Sequence, residues 1–423
     1  MNKLTPCKFD DLYEMASGIS SKPEQAGHGS PFLSFSAVFN NYFLPDVLLD
    51  RMDTSKAEQD KYSIKEGDIF LTRTSEVIDE LGMSSVALKT YENATYSGFL
   101  KRLRPKKKKA TYAKFMAFYL RSPLFRKTMT NNAVLTLRAS LNEDIFSYLS
   151  LLLPKYDDQI KIGNLLHLLH KKIECNNRIN TELEAMIETL YDYWFVQYEF
   201  PNSKGKPYKL SRGKMAYNAK LKREIPCGWT DGALNDLGKI VGGSTPSTQD
   251  MGNFSAAGFP WITPNDLSNN QGNKFITRGA QDVSEAGIRS ASLKMYPAGT
   301  VLLSSRAPVG YMAIARNEVT TNQGFKSFIP TKGYSTAFIY YTVKRSLKAI
   351  IQYASGSTFQ EISASVLKTV KIALPESSIV EQFTKTVNPI LQRQDLLEQE
   401  NQELAHLRDW LLPMLMNGQV TIA

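Results

Sequence analysis

Apolar residues recur at alternating steps of four and three along two stretches of the chain. Ile162, Leu166, Leu169, Ile173, Asn176, Asn180, Leu183, Ile187, Leu190 and Trp194 form the first series. Phe383, Val387, Ile390, Gln394, Leu397, Asn401, Leu404, Arg408 and Leu411 form the second. A 3.5-residue period keeps one helix face apolar over many turns, which is the coiled-coil signature. The first spacing predicts a helix from Asp157 to about Gln197, with Gly163 its only weak point; at 1.5 Å per residue it is about 60 Å long. The second helix opens on a capping-box pattern at Ser378 and Glu381. Pro389 is expected to kink or split it and Pro413 to end it, leaving Ile390 to Leu412 uninterrupted. Asn176, Asn180, Gln394 and Asn401 fall on the seams, where amides either fix register at a cost in stability or sit at a solvated edge. A seam this long exceeds what one compact domain covers, and its simplest partner is the other helix, running antiparallel.

Ahead of each seam, short β-branched and aromatic runs bounded by Gly, Pro and Ser predict strands, mixed with helical stretches such as Tyr112 to Leu120. These runs repeat in order. Gly67-Asp-Ile-Phe-Leu-Thr matches Gly299-Thr-Val-Leu-Leu-Ser, 232 residues on. Gly82 matches Gly310, Ser97-Gly98-Phe99 matches Gln323-Gly324-Phe325, Leu151 to Pro154 matches Ile372 to Pro375, and Asn180 matches Asn401. The ordered set predicts an α+β chain: two tandem globular parts, separated by two long helices in an antiparallel coiled coil, with a pseudo-twofold internal repeat. The divisions are 1–153 and 229–374 for the globular parts, 154–198 and 375–423 for the helices. Residues 199–228, rich in Pro, Gly and Lys, read as a linker wrapping into the second part.

Charge sharpens the picture. The 423 residues carry a net charge of +10, but residues 101–150 hold 12 Lys and Arg against 2 Asp and Glu, and residues 301–350 hold 7 against 1. The positive patches thus fall in corresponding places of the two halves. A polyphosphate backbone selects such patches, because each neutralised phosphate releases condensed counterions. The tetralysine Lys106 to Lys109 reads equally as a solvated loop. No run approaches the roughly 18 apolar residues of a membrane helix, and Cys7, Cys175 and Cys227 encode no disulfide framework or zinc cluster. A soluble, cytoplasmic protein is expected.

Self-contained DNA chemistry leaves marks that this chain lacks. It has no GxxxxGK[ST] phosphate loop, no Asn/Asp-Pro-Pro-Tyr methylase run and no glycine-rich strand-turn-helix for adenosylmethionine. Pro45-Asp46 has no acidic-x-Lys partner at nuclease spacing, and His167 and His170, at i and i+3, read as packed helix residues.

Several motifs then fall into line: Glu224-Ile-Pro-Cys-Gly-Trp229, Leu237 to Pro246, Pro260-Trp-Ile-Thr-Pro-Asn-Asp-Leu267, Gly299 to Arg306, Thr321-Asn-Gln-Gly324, Ser355-Gly-Ser-Thr358 and Leu374-Pro375 with Glu381-Gln382. In this order the chain resembles, over its whole length, the specificity subunit of type I restriction-modification systems. The match is sharper in the second half. The first half has Gly18-Ile-Ser-Ser-Lys22 for Gly242-Gly-Ser-Thr-Pro246 and carries an extra stretch, Thr74 to Leu81.

The resemblance implies a noncatalytic subunit with two target recognition domains, each reading half of a bipartite duplex DNA site. The helices set the spacer and dock two modification subunits that methylate adenine. No cofactor is bound by this chain: S-adenosylmethionine belongs to the partner methyltransferase, ATP and Mg to a partner motor-nuclease subunit. Lys101, Arg102, Arg104 and Lys106, Lys107, Lys108 and Lys109 are the phosphate candidates of the first domain, and Lys326, Lys332, Lys344 and Arg345 those of the second. Arg73 and Arg306, near the ends of equivalent strands, are the base-reading candidates, since arginine bonds guanine bidentately; surface ion pairing is the other reading of each. Gly243, Ser244 and Thr245 read as a backbone-contact loop or a tight turn. The rival functions are a coiled-coil scaffold whose basic patches bind another partner, and a divergent self-contained methyltransferase or nuclease.

Overall fold

The computed structural model of the chain describes residues 4–20, 22–75, 80–132, 134–135, 139–140, 149–306, 308–354 and 361–422. Ser21, residues 76–79 of the extra stretch and the motif Ser355-Gly-Ser-Thr358 lie outside them. The chain divides into two compact units. One comprises Met1–Cys175 with Asn401–Ala423, the other Asn176–Glu400. Each long helix thus contributes one stretch to each unit.

In the first unit, β1 (Thr5–Lys8) pairs antiparallel with β8 (Ser150–Leu153). Strands β2 (Tyr13–Ser17), β7 (Leu100–Pro105), β4 (Ile69–Thr72) and β5 (Ser84–Val86) make an antiparallel sheet in that order. β3 (Ala26–Leu33) pairs in parallel with β6 (Thr95–Tyr96). All four residues of β4 are buried, as its apolar run predicts. Phe115, Phe118, Leu151, Ile162, Leu166, Leu412 and Leu415 lie in one core with β4. At about 1.5–3 kcal/mol per buried large apolar side chain, this core anchors the start of the first long helix and the end of the second.

The second unit follows the same pairing plan. β9 (Thr230–Ala233) pairs with β17 (Lys371–Leu374). The sheet runs β10 (Lys239–Val241), β16 (Ser327–Ile329), β13 (Val301–Leu303), β14 (Met312–Ala315), β12 (Phe275–Ile276). β11 (Phe259–Ile262) pairs in parallel with β15 (Thr320–Thr321). The matched glycines explain themselves here. Gly67 and Gly299 take φ of +86° and +82°, and their amides bond Ala87 and Ala315 at 2.9 and 2.8 Å. A side chain is strained at such φ, so both strand entries require glycine. The linker is ordered: Met215–Asn218 pairs with Arg223–Pro226, and Phe200 stacks on Tyr208 and Trp229.

The first long helix spans Tyr156–Tyr191 and passes into a widened turn at Asp192–Val196, close to the expected end. The second spans Ser377–Met416 without a break, through both Pro389 and Pro413. The split expected as one outcome at Pro389 and the end expected at Pro413 are corrected. The residue whose carbonyl loses its amide partner to Pro389 is Lys385, which is exposed along with Pro389, so the proline falls on the solvated face of the helix. Asp409, four residues before Pro413, is exposed in the same way. The start at Ser377 also places Ser378 within the first turn instead of at the cap.

The seam residues do face inward. Ile162, Leu166, Asn176, Ile187, Trp194, Phe383, Val387, Gln394 and Leu397 are buried. Much of what covers them is globular: in the second unit Ile187, Trp194, Phe383 and Val387 share a core with Phe338 and Val343 of the helix Thr336–Ala354. Inside that unit the long helices also bond each other. Asn176 Nδ2 donates to Glu400 at 2.8 Å, and Gln394 Nε2 donates to the Asn180 carbonyl at 3.1 Å.

Candidate nucleic-acid interface

Charge counts and strand register give different accounts of the first basic segment. Lys101, Arg102 and Arg104 all lie in β7, a central strand covered on both sides. Lys101 is 5% exposed, and its Nζ donates to Ser17 Oγ at 2.8 Å. Arg102, equally buried, donates to the Ser63 carbonyl at 3.0 Å and lies over the Tyr96 ring. Arg104 makes a two-pronged ion pair with the buried Asp68, at 2.8 and 2.6 Å, which holds the guanidinium above its ordinary pKa. These three are internal groups, and the expectation that they grip phosphates is corrected. A buried cation keeps its charge only with partners, and here the fold supplies them.

The turn after β7 is different. Lys106 is exposed, though its Nζ meets the Asp10 carbonyl at 2.6 Å and the Asp10 carboxylate at 3.2 Å. Lys107, Lys108 and Lys109 are exposed. Arg73, one residue past β4, is exposed too, and its amide bonds the carbonyl of Phe99 at 2.9 Å, itself 64% exposed.

In the second unit, a Cβ on Gly243 would stand 1.7 Å from the Thr321 carbonyl oxygen. The neighbouring Ser244 amide bonds that same oxygen at 3.0 Å, Trp261 Nε1 donates to the Ser244 carbonyl at 3.2 Å, and Thr245 bonds Gln323. Gly18 plays the same part in the first unit, with a Cβ position 2.2 Å from the Ser97 carbonyl and the Ile19 amide on Tyr96 at 2.9 Å. The glycine is thus fixed by backbone packing, and Thr245 remains exposed at the surface.

Arg306 is half-exposed, with its Nε 3.2 Å from Glu361. It is not the positional twin of Arg73. The amide that bonds the Gly324 carbonyl, as that of Arg73 bonds Phe99, belongs to Ser305. Lys326 is half-buried and Lys332 exposed, reaching the Asn235 carbonyl at 3.4 Å. Lys344 pairs with Glu184 and Glu188 at 2.5 and 2.8 Å, and Arg345 with Asp192 at 3.3 Å. Burial pulls the Lys344 amine down, but the two carboxylates outweigh it and hold its pKa above the ordinary value. Lys344 is turned to the first long helix and Arg345 to the turn that follows it, against the expectation that they contact phosphate.

Sequence reasoning missed the buried polar cluster around Lys274. Its Nζ contacts Glu184, Tyr341 and, at 2.7 Å, Gln394. Its amide and that of Phe275 donate to Glu398 at 2.7 and 3.0 Å, and Arg316 pairs with Glu398 and Asp395. Burial raises the Glu184 carboxyl, yet Lys274 and Lys344 overcome it and hold it down at about 2. The available signal was a row of acids beside the seam, Glu184, Asp395 and Glu398, too many for a bare apolar contact. Gln394 acts within this cluster, beyond any register role. His167 packs edge-on against Phe43 at 4.7 Å, His170 packs tilted against the same ring at 5.4 Å, and His170 meets Glu174 at 3.2 Å.

The fold and these surfaces define a tandem α+β chain, built twice on one strand-pairing plan, with a long helix leading out of each copy. The chain belongs to the family described as Type I restriction modification DNA specificity domain, whose model matches residues 8–185 and again 226–406. It is similar to the Type I restriction enzyme MjaIX specificity subunit of Methanocaldococcus jannaschii, with 37% identity over 46% of this chain and 44% of that one. It also resembles the HindI specificity subunit of Haemophilus influenzae, with 29% identity over 66% of this chain and 70% of that one. The chain therefore spans less than half the length of the first of these relatives. Among solved structures, the type I restriction-modification S subunit from M. genitalium shares the fold, with a TM-score of 0.63 at 14% identity, over 98% of this chain and 96% of that one. Among the described residues, no helix is long and apolar enough to cross a membrane.

Proposed function

We propose that the chain is the noncatalytic specificity subunit of a type I restriction-modification complex, working in the cytoplasm on duplex DNA. Each globular part reads one half of a bipartite site. The two family matches on two units of one pairing plan carry this reading. The long helices form an antiparallel coiled coil within a pseudo-twofold repeat, supported by the reversed order of the Asn176–Glu400 and Asn180–Gln394 bonds. They set the spacer and dock two adenine-methylating modification subunits; a separate motor-nuclease subunit joins for restriction. S-adenosylmethionine is held by the modification subunits, ATP and Mg by the motor, and none by this chain.

Exposure narrows the contacts. Lys106 to Lys109 with Lys326 and Lys332 grip phosphates, Arg73 and Arg306 read base edges, and Thr245 lies at the rim of the second reading surface. Co-expression with the modification subunit in a methylation-free host, followed by mapping of methylated adenines, tests the whole. A two-part motif with a fixed gap and one methylated adenine per half is expected. An assembled complex that modifies nothing overturns it. Four residues added to each long helix, about 6 Å, should lengthen the gap by nearly two base pairs and leave both half-sites unchanged.

A further inference from the structure

Arg306 stands on a fixed backbone. Ser305, fully buried, donates its amide to the Gly324 carbonyl at 2.7 Å and accepts the Ile362 amide at 2.9 Å. Arg306 and Glu361 each sit one residue from that Ser305–Ile362 bond, on two segments clamped together. Their side chains meet above it, Nε to Oε1 at 3.2 Å, and stay 51% and 38% exposed. The contact is through Nε. A guanidinium presents five N–H donors in one rigid plane, and the carboxylate stands beside Nε, which leaves the end-on pair of terminal nitrogens to other acceptors. Among the described residues nothing takes those Nη hydrogens. The acceptor pair that fits such an end-on fork is guanine O6 and N7.

We infer that Glu361 is a positioning residue for Arg306, orienting its guanidinium toward one guanine edge in the half-site read by the second unit. This rests on the proposed base contact of Arg306. An ion pair on a solvated surface alone holds a side chain weakly; what sets this one apart is that both partners are anchored beside a single buried backbone bond. Arg73 has a fixed amide but, among the described residues, no carboxylate on its guanidinium.

The test uses the full specificity–modification complex and reads base preference at every position of the methylated motif. Arg306→Ala should lower discrimination at one position of one half-site by about tenfold to a hundredfold. Glu361→Ala should lower it at that same position by about threefold to tenfold, with the other half-site unchanged. Glu361→Gln, which keeps a neutral acceptor, should give a smaller relaxation at the same position. If Arg306→Ala relaxes the position and both Glu361 variants keep wild-type preference, the positioning role is lost and the base contact stands. If Arg306→Ala changes nothing, the base contact itself fails. Relaxation spread over several positions by either Glu361 variant would make Glu361 a packing residue. Should Glu361→Ala not assemble, Glu361→Gln decides alone.

Discussion

The two units share a strand plan but bury their charge in different places. In the first, Ile69 and Phe70 pair with Leu103 and Arg102; in the second, Val301 pairs with Phe328. That register sets Asp68 against Thr300 and Arg104 against Ile329. One unit thus holds a buried ion pair where the other holds a hydroxyl, bonded to the Pro297 carbonyl at 2.7 Å, and an aliphatic side chain. The reverse holds one strand away. The Tyr42 carbonyl accepts the Val86 amide and the Lys274 carbonyl that of Ile314, so Lys274 occupies the place of Tyr42. Around Tyr42 lie Arg121 and Arg408, stacked on its ring; around Lys274 lie carboxylates. Within one architecture, a buried cation is tolerated wherever the fold supplies its partners, from the start of the neighbouring strand at Arg104 and from the long helices at Lys274.

The comparison breaks first at Asp68. Asp68→Ala leaves Arg104 without its carboxylate and should cost about 2–4 kcal/mol by denaturant unfolding of the full chain, given that Arg104 is largely buried. The double change Asp68→Thr with Arg104→Ile, which writes the second unit's pair into the first, should recover stability to within about 1 kcal/mol. A double variant no better than Asp68→Ala would mean that the surrounding core has diverged beyond exchange.

Next in size is the acid limb of the second unit. Glu184 is held at about 2 in the folded chain against 4.5 ordinarily. A depressed carboxyl stabilises above the unfolded value and loses that contribution as pH falls through the folded one. Stability should therefore fall by about 2–3 kcal/mol between about pH 4.5 and 2 on account of this group. Subtracting the unfolding profile of Glu184→Gln isolates it, and two parallel profiles would show that Lys274 and Lys344 do not act on Glu184 as the geometry indicates.

How far these contrasts were legible in the sequence depends on the range of the contact. The helices follow from local periodicity, so the seams from Ile162 to Trp194 and from Phe383 to Leu411 were readable; the repeated glycines followed from their strand entries. Pro389 misled because its cost depends on whether the freed carbonyl reaches water, which periodicity does not reveal. Arg104 misled for another reason. Its partner lies 36 residues away in sequence, and a count of lysines and arginines treats a paired strand arginine and a solvated loop lysine alike. Exposure separates them. Lys107→Ala, Lys108→Ala and Lys109→Ala together should weaken binding to every DNA sequence and flatten the salt dependence by as many as three phosphate equivalents. Lys101→Ala should alter stability before it alters the salt slope, and the opposite order would return Lys101 to the interface.

The smallest effect expected is also the cleanest separator of patch from partner. Arg345 contributes to the second unit's basic count as much as Lys332 does, but its guanidinium faces Asp192 on the turn that follows the first long helix. It is 61% exposed and the pair is screened, so Arg345→Ala should change stability by less than about 0.5 kcal/mol. It should also leave the salt slope of DNA binding unchanged, whereas Lys332→Ala should lower that slope by about one. A flattened slope for Arg345→Ala would mean that the Asp192 pair opens on binding, and that helix Thr336–Ala354 takes part in the phosphate contacts of the second unit.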